Sequence, residues 1–236
     1  MKNQNEMLSF QLWESANSLA SLSETKQAIM FTDVKGSSKL WNIHKDGMFR
    51  ALDQHEKIME RIVPKYKGEI IKTIGDSYMV GWSGKDALFN AISAGIDIQA
   101  ELDKNPIMIK NKPLTIRMGI SFGPLYKKKV NIQGKKLWDY FGNTVNTASR
   151  MESMVSDAGD LAFSFTDSLD DTQEKKILEL LDSNNHKVNI IDYQHRCYTG
   201  KRKRSGRLLS ELQLHTCEPL SKLKGVDKVT AYNVKL

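Results

Sequence analysis

Two aspartates occupy positions from which they could bind a divalent metal ion. Asp33 directly follows the apolar segment 28–32, and Asp76 lies in the dipeptide Gly75-Asp76 between two short apolar segments. The first segment predicts a β-strand and the other two predict a β-hairpin. Carboxylate oxygens are suitable ligands for hard cations such as Mg²⁺ and Mn²⁺. If these strands are neighbours in one sheet, the two carboxylates converge on one metal site.

A glycine-serine turn follows Asp33 and leads into a segment with helical periodicity. The turn consists of Gly36, Ser37 and Ser38. Backbone amides without partners and the positive end of the helix dipole favour phosphate at such a position. Taken alone, an aspartate after a strand is usually a helix cap, and Gly-Asp is common in hairpins. The chemical interpretation therefore depends on the rest of the chain.

The order of predicted elements favours an α+β fold of the ferredoxin-like type. Strand, helix, strand, strand, helix and strand succeed one another, which is the βαββαβ order of that fold. In such a sheet the first strand lies beside the hairpin, as convergence of Asp33 and Asp76 requires. The predicted elements are strand 28–32, helix 39–65, strands 69–73 and 78–82, helix 85–102 and strand 114–121.

The remaining segments flank this core. The spacing of apolar residues predicts an N-terminal helical segment over 1–26, ahead of one domain over 27–236. Within that domain, the charged region of about 170–207 is expected to be a variable insertion with a partial helix, and the C-terminal extension ends in a strand. Further expected elements are a basic hairpin over 125–138 that turns at Gly134, a helix over 143–153, a strand over 161–164, the partial helix over 174–181 and the last strand over 223–234.

Composition restricts the class of protein. A chain of 236 residues with 40% hydrophobic residues supports one sizeable domain. No apolar run approaches the roughly 18 residues of a membrane span, so we expect a soluble, cytoplasmic protein. Two cysteines, Cys197 and Cys217, do not predict a disulfide scaffold. The net charge of +7 lies mainly in short lysine and arginine runs typical of solvated loops, and the central strands lack the aromatic pattern of a nucleic-acid-binding sheet.

The segment 139–150, Asp-Tyr-Phe-Gly-Asn-Thr-Val-Asn-Thr-Ala-Ser-Arg, closely resembles the signature of class III adenylyl and guanylyl cyclases. Segment 31–38 resembles the metal loop of that family, and 72–79 resembles its hairpin. Segments 116–124 and 223–234 resemble its central and C-terminal strands. The resemblance lapses across the charged insertion. It implies the ferredoxin-like core of the cyclase catalytic domain.

The resemblance also implies a metal and phosphate site. Asp33 and Asp76 would bind two Mg²⁺ or Mn²⁺ ions per active site, and the Val34 carbonyl would assist. Lys35, Gly36 and Ser37 depart from the commoner sequence of the family's metal loop, which leaves the detail of the loop open. The residues that the resemblance assigns to phosphate binding are Gly36, Ser37, Ser38, Arg117 and Lys224.

Two further residues correspond to catalytic positions of the family. Asn146 and Arg150 are four residues apart and therefore lie on the same face of a helix. The resemblance implies that the asparagine orients the ribose and that the arginine stabilises charge on the transferring phosphorus. Phosphoryl transfer depends mainly on positioning and charge stabilisation, so no histidine or covalent nucleophile is required.

Lys72 and Asp139 correspond to the two positions that read the base in this family. Adenylyl cyclases typically have Lys and Asp there, whereas guanylyl cyclases typically have Glu and Cys. A lysine can donate to N1 of adenine, and a carboxylate can accept from its exocyclic amine. The resemblance therefore predicts an adenylate cyclase that converts ATP into 3′,5′-cyclic AMP and pyrophosphate.

The family assembles its sites between two chains, with the metal aspartates on one and the base-reading and catalytic residues on the other. Because this chain carries both sets, we expect a homodimer with two complete sites, in which the hairpin around Gly134 reaches the partner. Two other interpretations stay open. One is a cyclase for another nucleotide that forms cyclic UMP, CMP or GMP, with Trp138 restricting the base. The other is a catalytically silent nucleotide-binding module, which is disfavoured because all the corresponding positions are present.

Overall fold

The computed structural model describes residues 23–132, 134–165, 169–183, 187–191, 197–202, 212–217 and 231–236. Lys224 and most of the predicted N-terminal helical segment lie outside the described residues. The first strand begins at Ser23, so the last four residues of the segment 1–26 are extended. No helix of the described residues is both long and apolar enough to cross a membrane.

The elements follow the predicted order and continue beyond it. The five helices of the described residues are α1 (Ser37–Ile43), α2 (Lys45–Lys65), α3 (Ala87–Lys104), α4 (Asn143–Arg150) and α5 (Asp171–Ser183), and a π-helical turn (Met151–Val155) follows α4. The strands are β1 (Ser23–Val34), β2 (Glu69–Ile74), β3 (Ser77–Ser83), β4 (Met108–Ile109), β5 (Lys112–Pro113), β6 (Ile116–Ile132), β7 (Lys135–Phe141), β8 (Asp160–Phe165), β9 (Lys187–Ile191), β10 (Cys197–Arg202), β11 (Leu212–Cys217) and β12 (Ala231–Lys235).

The main sheet of the described residues has the order β11-β10-β9-β12-β8-β6-β1-β3-β2, and β7 pairs with β6. Its central part, β6-β1-β3-β2, has the strand order that the ferredoxin-like βαββαβ unit produces. Strands β6 and β8 are parallel, whereas β1 is antiparallel to both β3 and β6. The predicted α+β class is therefore confirmed, and the sheet places β1 beside the β2-β3 hairpin.

The long helix predicted over 39–65 is wrong at one point, because His44 divides it into α1 and α2. His44 has φ −158° and ψ 78°, and its Nδ1 accepts a hydrogen bond of 2.8 Å from the N–H of Gly47. This bond satisfies one of the free amides at the start of α2, as a capping side chain does. The apolar spacing continues across the break, so periodicity alone does not reveal it.

The two faces of the sheet are covered to different extents. Helices α2 and α3 pack on one face and bury a large apolar core that includes Met30, Trp82 and Ile120. The opposite face carries α4 and a small cluster of Ile29, Met79, Leu125, Tyr140 and Ala148. Phe31, Ile71 and Val145 pack on that cluster but are only partly buried. Apolar surface on this second face is therefore left accessible to another molecule.

The charged region of about 170–207 contributes regular structure to the domain. It contains α5, and β9 and β10 extend the sheet beyond β12, which pairs with both β8 and β9. Of the C-terminal strand expected over 223–234, residues 231–234 are present in β12, and residues 223–230 lie outside the described residues. Cys197 and Cys217 are register partners on β10 and β11.

A buried histidine lies in the core between α2 and β3. His55 has no exposed surface, and neither of its ring nitrogens has a hydrogen-bond partner among the described residues. Its ring meets that of Tyr78 edge to face, with centroids 5.2 Å apart. Burial lowers the pKa of His55 from 6.5 to about 4. His55 is therefore neutral in the folded protein at neutral pH.

We expect this histidine to make the fold sensitive to acid. Between about pH 6.5 and pH 4 the unfolded chain binds the proton and the folded chain does not, so the free energy of unfolding falls as the pH falls. One pKa unit corresponds to about 1.4 kcal/mol, so between pH 7 and pH 5 His55 alone removes roughly 2 kcal/mol. Urea unfolding of the wild type and of His55→Leu at both pH values measures this effect. Equal losses in the two proteins would contradict it, because all the other titrating groups are shared.

Candidate functional site

Asp33 lies near the end of β1 and is contacted from both neighbouring strands. On one side, the Oγ of Ser77 donates to Asp33 Oδ1 over 3.0 Å. On the other side, Arg117 is the register partner of Asp33 on β6, and its Nη2 donates to Asp33 Oδ2 over 2.7 Å. These contacts orient the carboxylate at the edge of the core.

Asp76 lies in the turn between β2 and β3. Gly75 adopts φ +65°, which favours glycine and allows the tight turn. Asp76 directly precedes Ser77, which bonds to Asp33, so the turn brings the two aspartates to the same end of the sheet. The Oδ2 of Asp76 is buried and has no hydrogen-bond partner among the described residues. A buried oxygen of this kind is costly unless a ligand satisfies it.

The donor set at this position fits a hard divalent cation. Asp33 and Asp76 provide carboxylate oxygens, and the Val34 carbonyl follows Asp33 directly. No group of three or more His, Cys, Asp or Glu side chains that could hold a metal occurs in the described part of the chain. A site with two carboxylates is compatible with Mg²⁺, which typically takes one or two carboxylates together with water and substrate phosphates.

The glycine-serine turn has the conformation expected at the start of a helix. Gly36 adopts φ +71° and caps α1, in which Ser37 and Ser38 are the first residues. First-turn amides of a helix have no intrahelical partner and can therefore bind an anion. Lys35, which departs from the family pattern, forms an exposed 2.7 Å ion pair with Asp157. The hydrogen bond from Lys35 lowers the pKa of Asp157.

Arg117, which was predicted to bind phosphate, lies between two carboxylates in this structure. Besides its bond to Asp33, its Nε is 2.5 Å from Oε1 of Glu152 and its Nη1 donates to the Ser153 carbonyl over 3.4 Å. The pKa of Glu152 is raised to about 7, mainly because burial disfavours the charged carboxylate. The charge of Asp33 adds to this rise, and Arg117 opposes it. The sequence does not identify Glu152 as a site residue. It follows Arg150 by two residues, a spacing that does not place the two side chains on the same helical face.

The π-helical turn that carries Glu152 packs directly on β6 at Gly119. A Cβ atom at Gly119 would lie 1.9 Å from the backbone N of Glu152 and 2.6 Å from the carbonyl O of Ala148. Only glycine therefore allows the end of α4 to approach the strand this closely. π-Helical turns of this kind are frequent at functional sites, where they re-aim side chains.

Asn146 and Arg150 project from α4 into solvent. Both residues are exposed, and neither side chain forms a hydrogen bond or ion pair within the part of the chain that the structure describes. No hydrogen bond or ion pair joins them to Asp33 or Asp76 within that part of the chain. The single chain thus places the two aspartates at the same end of the sheet, but it does not link the predicted catalytic pair to them.

Lys72 and Asp139, the predicted base-reading pair, are brought together from β2 and β7. Lys72 Nζ donates to Asp139 Oδ1 over 2.7 Å, although 67 residues separate them in sequence. The same oxygen accepts the N–H of Tyr140 over 2.9 Å. Both side chains keep some exposure, so one donor and one acceptor remain together at the surface.

The comparisons with known proteins agree with this fold. Residues 20–189 match the family described as the adenylate and guanylate cyclase catalytic domain. An adenylate cyclase of Podospora anserina is 32% identical over 155 residues, which cover 58% of this chain and 7% of that protein. An adenylate cyclase of Schizosaccharomyces pombe is 28% identical over 220 residues, covering 85% of this chain and 12% of that protein.

A solved structure shares the fold. The catalytic core of a rhodopsin-guanylyl cyclase with converted specificity, in complex with ATPalphaS, superposes with a TM-score of 0.64 at 21% identity. The match covers 91% of this chain and 97% of that one. The chain therefore belongs to the adenylate and guanylate cyclase catalytic domain family, whose members use divalent metal ions. It spans only 7% and 12% of the two curated cyclases above.

Proposed function

We propose that this chain is an adenylate cyclase that converts ATP into 3′,5′-cyclic AMP and pyrophosphate. The observation that carries the proposal is the 2.7 Å pair of Lys72 and Asp139. An ammonium donor beside a carboxylate acceptor complements N1 and the exocyclic amine of adenine, whereas guanine presents a hydrogen at N1 and a carbonyl. The name of the Podospora and Schizosaccharomyces relatives, adenylate cyclase, supports the same base.

Asp33, Asp76 and the Val34 carbonyl would hold two Mg²⁺ or Mn²⁺ ions per site. Ions bound there would activate the ribose 3′-oxygen and neutralise charge on the triphosphate. The Oδ2 of Asp76 supports this assignment, because it is buried without a partner among the residues that the structure describes and a cation would satisfy it.

The remaining residues would bind and orient the nucleotide. Asn146 would hold the ribose, and Arg150 would stabilise charge at the transferring phosphorus. Their lack of partners within the described chain leaves their polar groups available to a ligand. The phosphates would be bound by backbone and side-chain donors of Gly36, Ser37, Ser38, Arg117 and Lys224.

The active form would be a homodimer whose sites lie between the chains. The proposal would explain why Asn146 and Arg150 are exposed and why their side chains make no hydrogen bond or ion pair within the described residues of one chain. It also accounts for exposed apolar residues on the β6-β7 hairpin, where Leu137, Trp138 and Phe141 are 51%, 47% and 45% exposed. Exposed apolar clusters commonly mark protein interfaces. We also propose a cytoplasmic location, where ATP is available.

Exchange of the base-reading pair tests the nucleotide. In Lys72→Glu/Asp139→Cys the donor at one position becomes an acceptor, and the carboxylate at the other is removed. Each unpaired polar group costs roughly 1–3 kcal/mol, so kcat/KM for ATP should fall about 10²- to 10³-fold, and some GTP activity should appear. Initial rates with ATP, GTP, UTP and CTP measure the change.

The matched control is Lys65→Glu/Asp97→Cys, which alters a similar Lys-Asp pair of 2.6 Å between α2 and α3. This control should keep its nucleotide preference. If ATP use is unchanged in the Lys72/Asp139 variant, these residues do not read the base. Wild-type turnover of UTP or CTP above ATP would favour a cyclase for another nucleotide, and no turnover of any nucleotide would favour a silent module.

A further inference from the structure

The guanidinium of Arg117 is shared between two carboxylates. Its Nη2 and Nε lie 2.7 and 3.3 Å from Oδ2 of Asp33, and its Nε also lies 2.5 Å from Oε1 of Glu152. All three side chains are at most 23% exposed, so solvent screens the charges only partly. One guanidinium therefore faces two carboxyl groups: it donates its hydrogen bonds to Asp33, whereas Oε1 of Glu152 is buried without a hydrogen-bond partner among the described residues. Glu152 has no part in the proposed function so far.

Arg117, which donates to Oδ2 of Asp33, and a divalent cation would compete for the same carboxylate. A cation held by the Asp33 carboxylate and a guanidinium bonded to that carboxylate carry like charges within a few ångströms, so each weakens the binding of the other. Release of Asp33 by Arg117 would therefore strengthen binding of the cation. Without a second anionic partner, Arg117 would lose its only charged contact in this step.

Glu152 is the second anionic partner of Arg117, and it lies on a π-helical turn that packs closely on β6. The π-helical turn that carries it is fixed against β6 at Gly119, where a Cβ atom could not be accommodated. The same turn also offers the Ser153 carbonyl to Nη1 of Arg117. The turn therefore keeps two acceptors beside the guanidinium that do not involve Asp33.

We propose that Glu152 is a positioning residue that lets Arg117 release Asp33 to a divalent cation without leaving the site. The inference rests on the proposed function, because it takes Asp33 to be a metal ligand. It assigns Arg117 a second role, as a counter-ion of Asp33, in addition to phosphate binding.

Direct measurement of Mn²⁺ binding tests the proposal without turnover. The full chain without nucleotide is titrated with Mn²⁺ at pH 8, and free Mn²⁺ is followed by electron paramagnetic resonance. Glu152→Gln should raise the Kd for Mn²⁺ on the order of 5- to 10-fold, because Arg117 then depends on Asp33 alone. Arg117→Gln should lower the Kd several-fold, since the competing cation is removed.

The double variant separates an effect through Arg117 from a general loss of negative charge. In the Arg117→Gln background, Glu152→Gln should change the Kd less than about 2-fold. Glu152→Asp keeps the negative charge and should bind Mn²⁺ nearly as the wild type does. If Glu152→Gln does not fold, Glu152→Asp with and without Arg117→Gln provides the comparison. Glu101→Gln, at an ion pair with Arg61 between α2 and α3, is the matched control.

The outcomes distinguish this inference from the proposed function. If Asp33→Asn binds Mn²⁺ as tightly as the wild type, the metal assignment fails and the inference fails with it. Suppose instead that Mn²⁺ binding depends on Asp33. If Glu152→Gln then leaves the Kd unchanged, or changes it equally with and without Arg117, only the positioning role of Glu152 is overturned.

Discussion

Replacement of Asp76 by alanine will reduce cyclic nucleotide formation by at least about 10³-fold while the fold becomes no less stable. We expect turnover to be lost because the change removes a proposed ligand of both metal ions. Stability is retained because the Oδ2 of Asp76 is buried without a hydrogen-bond partner among the described residues. Removing such an oxygen relieves a desolvation cost of roughly 1–3 kcal/mol. A rise in stability together with a loss of activity distinguishes a functional carboxylate from a structural one.

Asp33→Ala should also abolish turnover, but with a different effect on stability. This change removes the acceptor of the Ser77 hydroxyl and leaves Arg117 with Glu152 and the Ser153 carbonyl among the described residues, so we expect a modest destabilisation. Rates of cyclic AMP formation with Mn²⁺ and urea midpoints measure both variants. Asp86→Ala, at an ion pair with Lys176 far from the site, is the control. Near-normal product formation by either Asp33→Ala or Asp76→Ala would refute the metal assignment.

Mixing Asp33→Ala with Arg150→Ala will restore activity that neither variant has alone. In a heterodimer, one site combines the intact aspartates of one chain with the intact Asn146 and Arg150 of the other, and the second site carries both defects. With random pairing of equal amounts, half of the dimers contain one good site of two, so about a quarter of wild-type activity is expected.

A mixture of Asp33→Ala and Asp76→Ala is the matched control for complementation. Both defects then lie in the metal set, so no site is complete in any dimer and no activity should return. Differently tagged chains and a two-step pull-down establish that heterodimers form. Absence of recovery in a mixture that contains them would mean that each chain builds its own site.

The sequence predicted the parts of the site that depend on local patterns. Gly75-Asp76 between two alternating segments indicated the β2-β3 hairpin, and Gly134 indicated the turn between β6 and β7. Pairing of Lys72 with Asp139 could be expected only from the family resemblance, because a long segment of chain separates them. Lys224 lies outside the described residues, and its role stays a prediction.

Other features depend on packing that no local pattern encodes. The break at His44 is invisible in the apolar spacing, which continues from α1 into α2. Arg117 meets Asp33 because of the β1-β6 register, and Glu152 reaches Arg117 because the helix continues as a π-turn against Gly119. The charged region of about 170–207 lacks alternation, so no local pattern predicts that β9 and β10 extend the sheet.

The contact at Gly119 also constrains how the site can move. Because the strand touches the backbone of both Ala148 and Glu152, β6 and α4 behave as one rigid body that carries Arg117 and Arg150 together. Neither arginine can be repositioned by sliding the helix over the strand. Any closure around the proposed nucleotide would therefore use hinges outside this body, such as the β2-β3 turn with Asp76 or the proposed interface between two chains.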